Sequence, residues 1–240
     1  MSSVVQMNNI SHKFGKTTIL QDINLSINKG EIFGLLGPSG SGKTTIVKMM
    51  TGILSPGEGE VFLNEELMPS LKQMKRYGFM AQSDALYQEL TARENLDFFG
   101  SLYKLSKSKR KHRIQEVMDM VDLMKHLDQP VETYSGGMKR RLSLAAALIH
   151  EPEIIILDEP TVGIDPVLRQ SIWQELYRLK DNGVTIIVTT HVMDEAEKCD
   201  RLAMLRDGKV IAVDSPDHLK EGIGASTIEE VFLHYGGAAQ

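Results

Sequence analysis

The stretch GPSGSGKTT, Gly37 to Thr45, carries the first chemistry legible in the chain. It fits G-x-x-x-x-G-K-(S/T), the pattern of a phosphate-binding loop, in which backbone N–H groups of a glycine-rich turn converge at the start of a helix as an anion cradle. On this reading Gly37, Gly40 and Gly42 withhold Cβ atoms that would obstruct phosphate oxygens, with Pro38, Ser39, Ser41 and Thr45 completing the loop. Lys43 brings a point charge to the outer phosphates, and Thr44 offers a hydroxyl to Mg²⁺.

Two further places deliver polar groups at the ends of apolar runs. Ile154 to Leu157 ends in Asp158 and Glu159, and the β-branched run from Val184 to Thr190 ends in His191. Beside a bound nucleotide, one carboxylate at such a strand end holds Mg²⁺, usually through water, while its neighbour orients and activates the attacking water. Asp158 takes the first role and Glu159 the second. Ligands of open α/β sheets bind at the carboxyl ends of strands, so His191 is expected to contact the γ-phosphate. The plainer readings, two acids capping a turn and a structural histidine, weaken because the three groups converge with a phosphate loop.

The elements needed to position these residues are present. Glu31 to Leu36 reads as a buried strand entering the loop, and Ile46, Val47, Met49, Met50, Ile53 and Leu54 fall on one helical face after it. Strands are predicted over Val4 to Phe14, Ile19 to Ile27, Glu60 to Leu63 and Tyr77 to Met80, with turns at Asn28-Lys29-Gly30 and Gly57-Glu58-Gly59. From Thr91 the period becomes helical. Thr91 with Glu94 forms a capping box, followed by Leu96, Phe99, Leu102 and Tyr103. A second helix presents Ile114, Val117, Met118 and Val121, so a helical insertion is expected within an α/β domain. The basic run Lys107, Lys109, Arg110, Lys111 and Arg113 reads as a solvated helix start, and Met118, Met120 and Met124 as packing surface. A helix over Val167 to Lys180, a central parallel strand over Val184 to Thr190, a hairpin around Asp207-Gly208 and a helical end from Asp217 complete the chain.

The bulk composition is that of an ordinary globular domain: 240 residues, 42% hydrophobic, 25% charged, formal net charge −5. Nothing in that balance calls for nucleic acid. The single cysteine, Cys199, excludes an internal disulfide, and the start MSSVVQMNN lacks the charged and apolar regions of a signal peptide, so a cytoplasmic location is expected. No run approaches the roughly 18 apolar residues of a spanning helix.

Ser135-Gly136-Gly137, opening a helix ahead of the Asp158-Glu159 strand, completes a series that resembles the ATP-binding cassette ATPases over nearly the whole chain. The family order of phosphate loop, Q-loop, signature, D-E strand, D-loop and switch histidine is met by Lys43, Gln82, Ser135 to Gly137, Asp158 with Glu159, Asp165 and His191. The resemblance implies a single cassette over 1–240. A RecA-like P-loop α/β core with an antiparallel β subdomain would occupy about 1–84 and 154–240, and an inserted helical signature subdomain about 85–153. It implies ATP and Mg²⁺ as cofactors and a head-to-tail dimer, of like or similar subunits, holding two ATP at its interface. Gln82 would touch Mg²⁺ or the lytic water, Ser135 to Gly137 would reach the partner's γ-phosphate, Asp165 would cross to the partner, and Phe14 would stack on adenine, although a core role suits Phe14 nearly as well.

The chain departs from the family pattern at Tyr134 and Met138, which flank Ser-Gly-Gly in place of leucine and glutamine, and at Thr161-Val162-Gly163-Ile164-Asp165. These variants resemble ATPase subunits of exporters for drugs, antibiotics and surface polymers. The implied role is the motor of an exporter whose spanning subunits are separate chains, peripheral on the cytoplasmic face of the membrane, with a coupling groove near Gln82 and residues 84–89. An importer subunit, a soluble cassette ATPase acting on ribosomes or DNA, and an ATP-responsive binding module are the alternatives.

Overall fold

The computed structural model describes residues 2–83 and 85–237; Asp84, at the edge of the expected coupling groove, lies outside them. In chain order the strands are β1 (Ser3–Phe14), β2 (Thr17–Asn28), β3 (Ile32–Leu36), β4 (Glu58–Leu63), β5 (Glu66–Leu67), β6 (Tyr77–Met80), β7 (Ile154–Asp158), β8 (Thr185–Thr190), β9 (Arg201–Arg206) and β10 (Lys209–Asp214). The helices are α1 (Lys43–Met50), α2 (Ala92–Leu102), α3 (Lys107–Met120), α4 (Gly136–Leu148), α5 (Pro166–Asp181), the short α6 (Met193–Ala196), α7 (Pro216–Ile223) and α8 (Ile228–Tyr235).

Two sheets form. One is antiparallel, in the order β2-β1-β4-β5; the other runs β10-β9-β3-β8-β7-β6, parallel from β9 to β6 with β10 antiparallel at its edge. The parallel strands are largely apolar because both faces are covered. Every residue of β3, β7 and β8 is buried. Phe33, Leu35, Ile156 and Ile187 pack toward the antiparallel sheet and α1, while Ile155, Leu157, Ile186 and Val188 face the core shared with the helical insertion. β8 lies between β3 and β7, which brings the phosphate loop, the Asp158-Glu159 corner and His191 to one edge of the sheet.

Local chemistry sets the insertion's boundaries. Thr91 and Glu94 form the reciprocal capping box at the start of α2, and Ser106 and Ser135 cap α3 and α4. Ile114, Val117, Met118 and Val121 are buried against Leu96 and Leu142. Gly78 on β6 lets α4 approach closely, since a Cβ there would run into the Ala147 carbonyl. Asp207 and Gly208, both at positive φ (49° and 73°), give the β9–β10 hairpin a turn that matches strand twist.

Several local expectations are corrected. The helix after the phosphate loop stops at Met50, because Thr51 caps it and Gly52 turns at φ 70°; Ile53 is therefore 61% exposed instead of on the buried face. Leu102 is likewise exposed at the end of α2. Glu58 and Gly59 belong to β4, where Gly59 passes so close to the Asn8 and Asn9 carbonyls that no Cβ fits. The basic run is only partly solvated. Arg110 pairs with Asp97 at 2.6 Å, and Arg113 donates to the Leu148 and Ile149 carbonyls at 2.9 and 3.3 Å, satisfying the end of α4.

Candidate functional site

Two adjoining cavities open at the carboxyl edge of the parallel sheet. One, of about 280 Å³, is lined by Phe14, Ser39, Gly40, Gly42, Lys43, Thr44 and Thr45 together with Gln82 and Glu159; the other, of about 380 Å³, by Gly37, Pro38, Ser39, Gln82, Glu159 and His191 with Met193 and Phe232. Ser39, Gln82 and Glu159 border both. Residues far apart in sequence thus meet because β3, β8 and β7 are neighbours.

Two of the loop's glycines are also constrained by the chain's own packing. A Cβ at Gly37 would lie 2.5 Å from the Leu205 carbonyl, and one at Gly42, which holds φ 105° at the start of α1, 2.5 Å from the Leu20 side chain. Backbone excludes a Cβ at Gly37, while at Gly42 the left-handed φ more than the movable Leu20 tip calls for glycine. Gly40, at φ 81°, faces open space.

Lys43 is 6% exposed, and its ammonium donates to the Gly37 and Pro38 carbonyls at 2.7 and 3.0 Å. Burial pushes its pKa down, while the nearby carboxylates of Glu159 and Asp158 push the other way. The carboxyl group of Asp158 is buried. Its Oδ1 accepts from the Thr189 hydroxyl at 2.5 Å, while Oδ2, like the buried Ser41 hydroxyl, has no hydrogen-bond partner among the described residues. Such hard oxygen groups beside an anion cradle suit Mg²⁺, which keeps waters and phosphate oxygens in its shell and needs few protein ligands. Consistently, no group of three or more His, Cys, Asp or Glu among the described residues forms a closed protein cage for a metal.

Glu159 sits at φ 52°, held there by its N–H, which donates to the Thr189 hydroxyl at 2.9 Å. A left-handed glutamate is uncommon, and the constraint aims its side chain into the cleft. His191 Nδ1 donates to Glu159 Oε1 at 3.1 Å, joining the two strand-end groups directly. Phe14 is 53% exposed, so the core alternative for it falls away; its ring packs edge to face against His12 at 4.8 Å.

Ser135, Gly136, Gly137 and Asp165 line neither cavity. Ser135 caps α4, its hydroxyl accepting the Met138 N–H, and Asp165 caps α5, its Oδ1 accepting the Leu168 N–H at 3.0 Å. Both helix starts lie together, for a Cβ on Gly137 would be 3.4 Å from the Gly163 carbonyl. The flanking departures have structural reasons. Tyr134 is buried and donates to the His126 carbonyl at 2.7 Å, and Met138 packs on the helical core.

Four residues of the site escape a reading of the sequence. Thr189 supports both acids from the neighbouring strand. Buried Glu195 accepts from Thr161 and Thr190, tying the segment before Asp165 to the end of β8. Phe232, from α8, walls the cleft near His191. Arg140, on α4, reaches the backbone beside Gln82 and Glu159. Alternation along β8 could have flagged Thr189; nothing local flags the others.

Comparison with known proteins agrees with this geometry. Residues 20–162 match the ABC transporter family. The linearmycin resistance ATP-binding protein LnrL of Bacillus subtilis is 41% identical over 94% of this chain and 73% of its own length. The Nod factor export ATP-binding protein I of Bradyrhizobium diazoefficiens is 42% identical over 95% and 74%. The probable multidrug ABC transporter ATP-binding protein YbhF of Escherichia coli is 40% identical over 91% of this chain, which spans only 38% of that protein. Among solved structures, an ATP-binding subunit of an ABC transporter superposes with a TM-score of 0.90 at 25% identity, covering 98% of this chain and 100% of the other. A dimeric ATP-binding cassette in a post-hydrolysis state, bound to ADP and Pi, superposes at 0.82 with 31% identity, over 88% and 98%.

Proposed function

The chain belongs to the ABC transporter family as one of its ATP-binding ATPases, and from that premise we propose that it is the motor of a membrane exporter. It works as a head-to-tail dimer around two ATP, coupled to transmembrane subunits on separate chains and peripheral on the cytoplasmic face of the membrane. No helix among the described residues is long and apolar enough to cross a membrane.

One observation carries the reading: the phosphate loop, Gln82, Glu159 and His191 share a cleft that Ser135, Gly136 and Gly137 do not line. A second copy, turned head to tail, supplies that wall, and α4 then points an N-terminus at the γ-phosphate. The dimeric cassette among the structural neighbours supports the arrangement.

Within each site, Phe14 stacks on adenine, and the loop amides with Lys43 hold the phosphates. Thr44, Asp158 and Gln82 would hold Mg²⁺. Bound there, it would neutralise charge on the outer phosphates. Glu159, already bonded to His191, accepts a proton from the attacking water, and His191 steadies the γ-phosphate. Asp165 and its neighbours face the partner subunit. Binding closes the dimer, and hydrolysis with phosphate release opens it. Export is favoured by the names of the relatives, which concern drug resistance and Nod factor export, and by the Tyr134 and Met138 variants.

Light scattering with ATP and Mg²⁺ tests the core of this. Glu159→Gln is expected to bind ATP, lose nearly all turnover and accumulate as a dimer. Wild-type turnover in the variant removes Glu159 as the base, and a variant that stays monomeric with ATP bound removes the shared site.

A further inference from the structure

Arg140 lies on α4, the helix opened by Ser135, yet its guanidinium leaves the helical subdomain. Nη1 donates to the carbonyls of Ala81 and Gln82 at 2.6 and 3.0 Å, and Nη2 to the carbonyls of Asp158 and Glu159, the latter at 2.7 Å. The side chain is 7% exposed. Its neighbour Arg141 does something different, donating to the Val121 and Asp122 carbonyls at the end of α3, within the helical subdomain. Of the two adjacent arginines, one ties α4 to its own subdomain and the other ties it to the edge of the parallel sheet.

The four carbonyls belong to residues 81–82 and 158–159, just past the last pair of β6 and β7. β6 ends at Met80 and β7 at Asp158, and their parallel pairing stops at Met80 with Leu157. Beyond that register β6 has ended while Asp158 still pairs with Thr189 of β8, and each segment carries one polar side chain into the cleft, Gln82 and Glu159. The Glu159 backbone is also in the left-handed region, a conformation that persists only where surrounding contacts impose it. Thr189 fixes its N–H from one side. Arg140 fixes the carbonyls before and after its Cα from the other. A planar fork with five donors can serve four carbonyls at once, which a lysine ammonium with three donors cannot.

We propose that Arg140 is a positioning residue for ATP hydrolysis: it locks Gln82 and Glu159 in register with each other and makes that register depend on where the signature helix stands. The proposal rests on the reading of Glu159 as the base and adds a physical link within one subunit. A movement of α4 relative to the sheet must carry the guanidinium with it, loosening the two segments together. Misplacing a catalytic group by about 1 Å can cost roughly 100-fold in rate, so a link of this kind controls turnover without touching the nucleotide.

The test uses Arg140→Lys and Arg140→Gln in the full chain, with ATP and Mg²⁺. The expected result is a fall in kcat approaching 100-fold, with KM and nucleotide affinity near wild type. Amide exchange is expected to quicken in residues 81–83 and at Glu159, but not in the phosphate loop. In a Glu159→Gln background, Arg140→Lys is expected to lower residual single-turnover hydrolysis no further, because both changes remove one function. Arg140→Lys with wild-type kcat overturns the proposal. So does a loss of kcat matched by an equal loss of nucleotide affinity, or full additivity with Glu159→Gln. If Arg140→Gln shows no thermal unfolding transition, the comparison is made on Arg140→Lys alone, which keeps the charge and most of the stem. The base assignment itself is read separately, from Glu159→Gln alone.

Discussion

The hydroxyl of Thr189 donates to Oδ1 of Asp158 across 2.5 Å, from the residue that stands opposite Asp158 in the parallel pairing of β7 and β8. The same oxygen accepts the N–H of Glu159 at 2.9 Å, so its proton has one direction to go. One hydroxyl therefore orients the acid assigned to Mg²⁺ and the backbone of the acid assigned to water.

Thr189→Val keeps the shape and removes both bonds. With buried Asp158 Oδ1 left unpartnered and the Glu159 N–H keeping only the Thr189 carbonyl at 3.2 Å, stability is expected to drop by about 1–3 kcal/mol, read from the urea midpoint. ATPase kcat is expected to fall in parallel, while Thr189→Ser, which keeps the hydroxyl, retains most of it. Equal kcat for the valine and serine variants would separate Thr189 from the chemistry.

Lys43 offers a pH test with a defined sign. Burial holds its folded-state pKa below the roughly 10.4 of an unfolded lysine, so between those values the unfolded chain binds more protons. Its contribution then makes stability rise with pH across that interval, whereas Tyr77, whose pKa burial has pushed up to about 12, makes stability fall only above about pH 10. Lys43→Met is expected to remove the rise, seen as a lower slope of unfolding free energy below about pH 10 than in wild type, and to weaken ATP binding in a titration. Unchanged ATP affinity contradicts the phosphate role.

His150 gives the acid counterpart. Its ring stacks on Tyr103 with centroids 3.6 Å apart, Nε2 donates to the Tyr77 carbonyl at 3.1 Å, and burial pulls its pKa down to about 4. Since an unfolded histidine titrates near 6.5, its contribution to stability is complete above about that pH and is lost as pH falls toward 4, by at most about 1.4 kcal/mol per pH unit. His150→Phe preserves the stack and removes the titration. The variant is expected to show a smaller loss of thermal stability between about pH 6.5 and 4.5 than wild type; identical acid profiles would exclude His150 as a source of acid sensitivity.

The sequence by itself determined most of what is local. The loop from Gly37 to Thr45, the capping box at Thr91 and Glu94, the apolar runs ending at Asp158 and Thr190, and the Asp207-Gly208 hairpin are each written in neighbouring residues, because backbone conformation and capping depend on a few adjacent side chains. Where a local signal misled, as in extending the first helix to Ile53 or treating Arg110 and Arg113 as solvated, the deciding contact lay elsewhere: Thr51 and Gly52 end that helix, and Asp97 and the Leu148 and Ile149 carbonyls claim those arginines.

Only the tertiary structure decided which polar groups share a site and what holds them. Strand order sets β8 between β3 and β7, and this alone brings Thr189 against Asp158 and His191 against Glu159. Arg140 reaches two segments 58 and 19 residues away through carbonyl oxygens, which every residue possesses and no sequence pattern marks. The separation of Ser135 from the cleft is of the same kind. A motif records which groups are available, whereas the packing of α4 against the sheet fixes how far they stand from the phosphate loop.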